Sequence, residues 1–449
     1  MRRRTLLMAL PLTAVLASCG VASRAGKGSS AGASSGASHG GFEVTDIVGR
    51  KVTFSAQPQR IVLSESRHVY SLAFLNKTNP IDKVVAWGDD LQGAAPDFYD
   101  KIVSKAPDAA KLPKIGNIAK DGLPIETLVS HKPDVFIMTL DAYNSAKKKG
   151  YLEKLDGQKI TYVVTDFRRD PVKNTVPSVT LMGALFDKRK EAEAFVSFYK
   201  KQVDPIVAKV KSLSSKPTTF LWRGPGVNDP GSTYSTANLG AIITATGGTN
   251  IADSHLSGEE GTLTLEQIIA SNPKNIIATG GEWQQQKIKD TAQTSYVHLG
   301  YKADEASAKA SLEQLKNQPG FEQIQAFTDR HVYGIYHQFY DAPYNFIAYL
   351  TFAKWQNPEA FSDIDPAKVW KDFHEQYMPW KAEGVFFAAI GGAAALMARC
   401  VDTAEVIAFD DLGPEAIRRL TVTELPVIVA IDCQGRNVYE TGRAAYEQD

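Results

Sequence analysis

The sequence predicts an α/β protein of two Rossmann-like lobes joined by a long helix, with a small α/β segment appended at the C-terminus. Three observations predict it. A helix-proline-strand unit occurs twice, marked by Glu126 and Glu266; one long amphipathic stretch lies between the copies; and the pattern changes character after Pro379.

In the first copy Ile125-Glu126 opens a run that reaches Pro133 and then Val135-Phe136-Ile137. In the second, Leu265-Glu266 leads to Pro273 and then Ile276-Ile277. Each reads as a short amphipathic helix, a proline that ends it and a buried parallel strand. The copies lie 140 residues apart, too far for a solenoid repeat and suited to two similar lobes. Between them Ala192, Phe195, Val196, Tyr199, Val203, Ile206, Val207 and Val210 recur at steps of three and four, which makes one apolar stripe along a helix. Pro205 falls inside the stripe and is expected to kink the helix or begin a second one. The expected organisation is an N-terminal lobe over 42–178, a linking helix over 179–213, a C-terminal lobe over 214–380 and a tail over 384–449. A helical link permits only modest movement of one lobe against the other.

Ahead of the lobes, Met1-Arg2-Arg3-Arg4 supplies positive charge and Thr5 to Ala17 a short apolar run, too short to span a bilayer. Leu16-Ala17-Ser18-Cys19 resembles the bacterial lipobox. That resemblance implies a signal peptide over 1–18 and a lipid on Cys19 that anchors the mature chain at the outer face of a cell membrane. Residues 19–41, almost all Gly, Ser and Ala, read as a flexible tether. No later stretch is long and apolar enough to be a transmembrane helix.

The composition, 43% hydrophobic and 22% charged, is that of a globular protein, and a formal net charge of +0 argues against broad nucleic-acid binding. The eight histidines contain no HxH or HExxH arrangement and the three cysteines no CxxC spacing, so no bound metal or cofactor is expected. His131, His255, His298, His331 and His374 read as surface or structural residues. The chain has no GxSxG, P-loop or nucleotide fingerprint, which argues against an enzyme.

Thr45-Asp46-Ile47-Val48-Gly49-Arg50 with Pro58-Gln59-Arg60-Ile61-Val62 resembles the opening of the binding proteins that serve ABC importers of siderophores, haem and cobalamin. Pro319-Gly320-Phe321, Ala326-Phe327, Arg330-His331-Val332-Tyr333 and Asp363-Ile364-Asp365-Pro366 match the far end of the same family, so the resemblance covers roughly Phe42 to Pro379. It implies capture of a ferric siderophore or similar iron complex, with haem or cobalamin as alternatives, and delivery to a permease and its ATPase. It also implies that Glu126 and Glu266, on the rims of the two lobes, meet arginines of that permease; the plainer reading is a pair of solvated helix acids.

In a two-lobed binder the ligand meets loops at the carboxyl ends of strands. Four loops qualify: Ser64 to Tyr70, with Arg67 and His68; Trp87 to Asp90; Trp222 to Pro225, with Arg223 and then Tyr234; and Tyr336 to Tyr340, with His337 and then Tyr344. Arg67 and Arg223 offer fixed cations, Trp87 and Trp222 flat walls, and Tyr336, His337 and Tyr340 iron ligands or hydrogen-bond donors, a match to an anionic iron complex. The competing readings are core packing for the tryptophans and helix capping for His68. Tyr336 and His337 are adjacent, so only one is expected to face a ligand.

Beyond Pro379, Gly384 to Leu396, Glu405 to Phe409, Asp411 to Ile417 and Pro426 to Asp432 resemble the final part of the iron-sulfur hydro-lyases, the class I fumarases and tartrate dehydratases. The residues themselves read as a Gly-rich turn, helices over Ala393 to Cys400 and Pro414 to Leu420, and strands over Glu405 to Ala408 and Val427 to Ile431. The cluster cysteines of that family have no counterpart in this chain, so no dehydratase activity is expected from Cys400 or Cys433. The tail is either a fused reading frame or a native extension that caps the second lobe.

Overall fold

A computed structural model describes residues 41–120, 122–284, 296–390, 401–408 and 417–422. The expected signal peptide, Cys19, the tether up to Gly40, the helix over Ala393 to Cys400 and the strand over Val427 to Ile431 lie outside the described residues.

The first lobe opens with an antiparallel hairpin, β1 (Phe42–Thr45) and β2 (Lys51–Phe54). There follow β3 (Ile61–Leu63), β4 (Val84–Gly88), β5 (Lys114–Ile115), β6 (Val135–Thr139) and β7 (Tyr162–Thr165), which pair in parallel in the order β5-β4-β3-β6-β7. Ile61, Val62 and Leu63 are all buried, as a central strand covered on both faces requires.

The second lobe repeats the plan with β8 (Thr218–Trp222), β9 (Ser232–Tyr234), β10 (Thr249–Asn250), β11 (Glu260–Thr262), β12 (Asn275–Gly280), β13 (Val332–Tyr336) and β14 (Phe387–Ala389). The sheet order is β10-β8-β12-β13-β14, while β9 and β11 form a separate pair. Residues 122–130 and 262–270 show the same succession of exposed and buried positions, with Leu128 and Ile268 inward and Glu126 and Glu266 outward.

The link between the lobes differs from expectation at both ends. Residues 179–185 finish an earlier helix, Pro171–Leu185; Asp187, at φ 56°, turns the chain; and the linking helix runs only from Arg189 to Val210. It passes through Pro205 without a break. Pro205 and Lys201, whose carbonyl the proline leaves unbonded, lie on the exposed face, where water can serve that carbonyl. The two helices approach closely, since a Cβ on Gly183 would stand 2.4 Å from the Ala192 Cβ. Phe195, on the predicted stripe, stacks on Phe74 of the first lobe at 4.1 Å and meets Phe346 and Phe373 of the second edge-on. Each such buried ring contributes about 1.5–3 kcal/mol, and here the burial is shared by both lobes.

The tail does not begin as a separate body. Strand β14 pairs antiparallel with β13, and Phe386, buried, packs on Tyr301, Tyr336 and Trp370 with centroids 4.8, 5.4 and 4.9 Å apart. Farther on, β15 (Val401–Ala408) and β16 (Ile417–Val422) form an antiparallel ladder. This corrects the expected helix over Pro414 to Leu420: Ile417, Thr421 and Val422 favour an extended chain, and a paired neighbour decides so short a segment. Among the described residues no helix is long and apolar enough to cross a membrane.

Candidate ligand-binding cleft

Loops that leave the carboxyl ends of strands in the first sheet surround a cavity of about 850 Å³ whose lining includes Arg67, Asn117, Asp141, Lys148 and Arg168, with Glu259 the second lobe's one contribution among the described residues. A recess of about 130 Å³ beside it is lined by Arg168, Arg169, Arg223, Tyr234, Asn238 and Tyr340.

Arg67 sits in the turn after β3. Its guanidinium donates to Asp90 at 2.6 Å and Glu65 at 2.8 Å in its own lobe and to the Tyr340 hydroxyl in the other, where it also forms an ion pair with Asp341 at 2.8 Å. Arg168, after β7, donates to Glu65 and Asp141, each at 2.8 Å, and across the cleft to Asp341 at 2.6 Å. Arg169 joins Asp141 to Glu259 of the second lobe. The loop that carries both arginines is held by Asp166, which accepts from the backbone N–H groups of Arg168, Arg169 and Asp170 at 2.7–2.9 Å. Asn238 of the second lobe donates its side-chain amide to the carbonyls of Arg168 and Tyr340. Arg223 pairs with Glu260 at 3.0 Å and lies over the Tyr234 ring at 4.7 Å.

Burial pushes the Glu65 carboxyl up, but Arg168 and Arg67 outweigh it and hold the group down at about 2. For Asp341 burial prevails over the same two arginines and its carboxyl is raised. The His337 imidazole is pushed well below its usual range by burial and by the nearby arginines, so it stays neutral.

Of the residues expected to hold a ligand, Arg67, Arg223, Tyr234 and Tyr340 line this space. The others are placed elsewhere. Trp87 and Trp222, each 1% exposed, are core side chains, because strand ends in a sheet covered on both faces point aromatic rings inward, and Tyr344, 2% exposed in the turn before the helix Phe346–Gln356, packs in the core against Tyr70 and Trp370. Tyr336 turns away to donate to Asp97. His337 is buried, with Nδ1 2.9 Å from the Thr279 hydroxyl and its ring against Tyr340. His68 precedes the helix Val69–Leu75 but makes no side-chain cap; its nitrogens reach the Glu65 carbonyl at 2.8 Å and the Thr165 hydroxyl at 3.0 Å.

Sequence reasoning missed Arg168, Arg169, Asp141 and Asp341. The rule that singled out the other loops, a charge directly after a buried strand, would have found the first three had it been applied after Val135–Thr139 and Tyr162–Thr165. Asp341 carries no such signal. Among the described residues no group of three or more His, Cys, Asp or Glu is placed to hold a metal ion.

Residues 76–338, more than half of the chain, match the family described as periplasmic binding protein, and residues 378–442 match the fumarase C-terminus. No curated protein matches. Among solved structures, the TroA-like periplasmic binding protein FepB from Veillonella parvula is 24% identical, with a TM-score of 0.69 over 78% of this chain and 99% of that one. MolA from Haemophilus influenzae, bound to molybdate, is 17% identical with a TM-score of 0.55 over 76% of this chain and 99% of its own. CeuE from Helicobacter pylori, in a complex with nickel and histidine, is 16% identical with a TM-score of 0.52, covering 76% and 96%. These likenesses establish the two-lobed α/β fold. The chain belongs to the periplasmic binding protein family, the extracytoplasmic solute-binding components of ABC importers.

Proposed function

We propose that the chain captures a ferric siderophore, or a closely similar iron complex, between its lobes and delivers it to a membrane permease. The cleft carries this reading: about 850 Å³ of space walled by guanidinium, amide and hydroxyl groups together with the carboxylates that pair with the arginines, dimensions and chemistry that suit a compact, oxygen-rich chelate. Tyr336 and His337 already have partners, which favours an intact chelate over haem held by a side-chain ligand. Titration calorimetry of the purified chain with ferric siderophores, haemin and cobalamin tests the reading. One siderophore should bind per chain below the micromolar range. Tight binding of haemin or cobalamin alone would sink it.

For docking, Glu126 and Glu266 stand exposed in the first turns of the helices Ile125–Ser130 and Leu265–Ser271. Val129 and Ile269, one turn farther along and 38% and 37% exposed, set an apolar residue beside each acid. Paired acids on matching helices suit paired arginines on a permease. Cys19 is proposed as the lipid anchor, on the strength of its lipobox, keeping the binder concentrated beside the permease. The tail is read as non-catalytic; conversion of fumarate to malate by the purified, cluster-reconstituted protein would overturn that.

A further inference from the structure

The arginines that line the cleft are already neutralised. Arg67, Arg168, Arg169 and Arg223 face six carboxylates, those of Glu65, Asp90, Asp141, Asp341, Glu259 and Glu260, at 2.5–3.0 Å. Lys147 and Lys148 reach the larger cavity only from its rim, exposed to water that screens them.

Donors remain where charge does not. The Nε–H groups of Arg168 and Arg223 are buried and have no hydrogen-bond partner among the described residues, and both side chains line the recess. A buried donor left without an acceptor is costly, and a small adjustment of the side chain that brings it to a ligand oxygen in the recess would relieve it. A polyanion, by contrast, would have to sit among the carboxylates or pull them off guanidinium groups that also hold the lobes together. Glu65 cannot easily yield, because Thr139 also donates to it at 2.9 Å.

Resting on the iron-chelate reading, we infer that the cleft selects ferric chelates without net charge, of the tris-hydroxamate type, over polyanionic tris-catecholates. Three singly charged hydroxamates cancel the charge of ferric iron and still present carbonyl oxygens to N–H donors. Three doubly charged catecholates leave three negative charges on the complex.

The test is calorimetric titration of the purified chain with ferrioxamine E, a neutral cyclic tris-hydroxamate, and with ferric enterobactin, a tris-catecholate trianion. The neutral complex should bind at least about 100-fold more tightly, and its affinity should change less than about twofold between roughly 0.05 and 0.5 M salt. The double variant Glu259→Gln, Glu260→Gln removes two carboxylates from the cleft edge without touching the core, and should raise affinity for the trianion about tenfold. Equal or tighter binding of the trianion by the unaltered chain, or no gain in the double variant, overturns the charge selection and leaves the iron-chelate reading standing. Failure of the neutral complex to bind below the micromolar range also overturns the selection, and if haemin or cobalamin then binds in place of any siderophore the iron-chelate reading falls with it.

Discussion

The Tyr336 hydroxyl, in the second lobe, donates to both carboxylate oxygens of Asp97 in the first, at 2.9 and 3.0 Å, in a site sealed from solvent. The backbone N–H of Tyr301 adds a third cross-lobe bond to the same carboxylate at 3.0 Å. Burial raises the Asp97 carboxyl above its ordinary range despite these donors. Tyr336→Phe should therefore cost about 1–3 kcal/mol of stability, read as a fall in Tm, with ligand affinity unchanged. The sign with pH follows from the raised folded-state value: the penalty is largest where Asp97 is charged, and it shrinks as pH falls through that value. A penalty equal at neutral and acid pH would contradict the assignment.

Glu65 behaves oppositely. Arg168 and Arg67 hold its carboxyl at about 2, below its ordinary 4.5, so its contribution is complete above pH 4.5 and is lost as pH falls from there to about 2. Roughly 3 kcal/mol of stability rides on that window. Urea unfolding of Glu65→Gln as a function of pH should show a visibly flatter acid limb than the unaltered chain, although the variant is weaker at neutral pH because two buried guanidinium groups lose an ionic partner.

Phe386 joins the fumarase-like segment to the second lobe. Phe386→Ala removes a buried ring packed against Tyr301, Tyr336 and Trp370 and should cost about 3–5 kcal/mol in denaturant unfolding. A loss below about 1 kcal/mol would mean that the segment is merely appended.

For the proposed docking acids, replacing Glu126 and Glu266 by alanine should leave stability within about 0.5 kcal/mol, since both side chains are exposed on short helices. Chelate affinity should not change. Uptake of radioactive iron chelate by cells expressing the importer should fall about tenfold or more in the double variant. Unchanged uptake would remove both residues from the docking surface.

The sequence by itself determined the elements and their repetition, because a helix-proline-strand unit and an apolar stripe are local patterns that each segment carries in its own residues. It also pointed to the loops after β3, β8 and β13, since a charge or aromatic group directly after a buried strand is visible without any partner. Only the tertiary structure decided which of those side chains reach the cleft. Trp87 and Trp222 went inward with their sheets, while Arg67 and Arg168 went outward to meet Asp341, 274 and 173 residues away along the chain. Whether a cation stands free or neutralised depends on a carboxylate from the other lobe, and no local periodicity records that pairing. The tail shows the same division: its strands near Phe387 and Ile417 exist because a neighbouring strand offers a ladder, not because their own residues demand one.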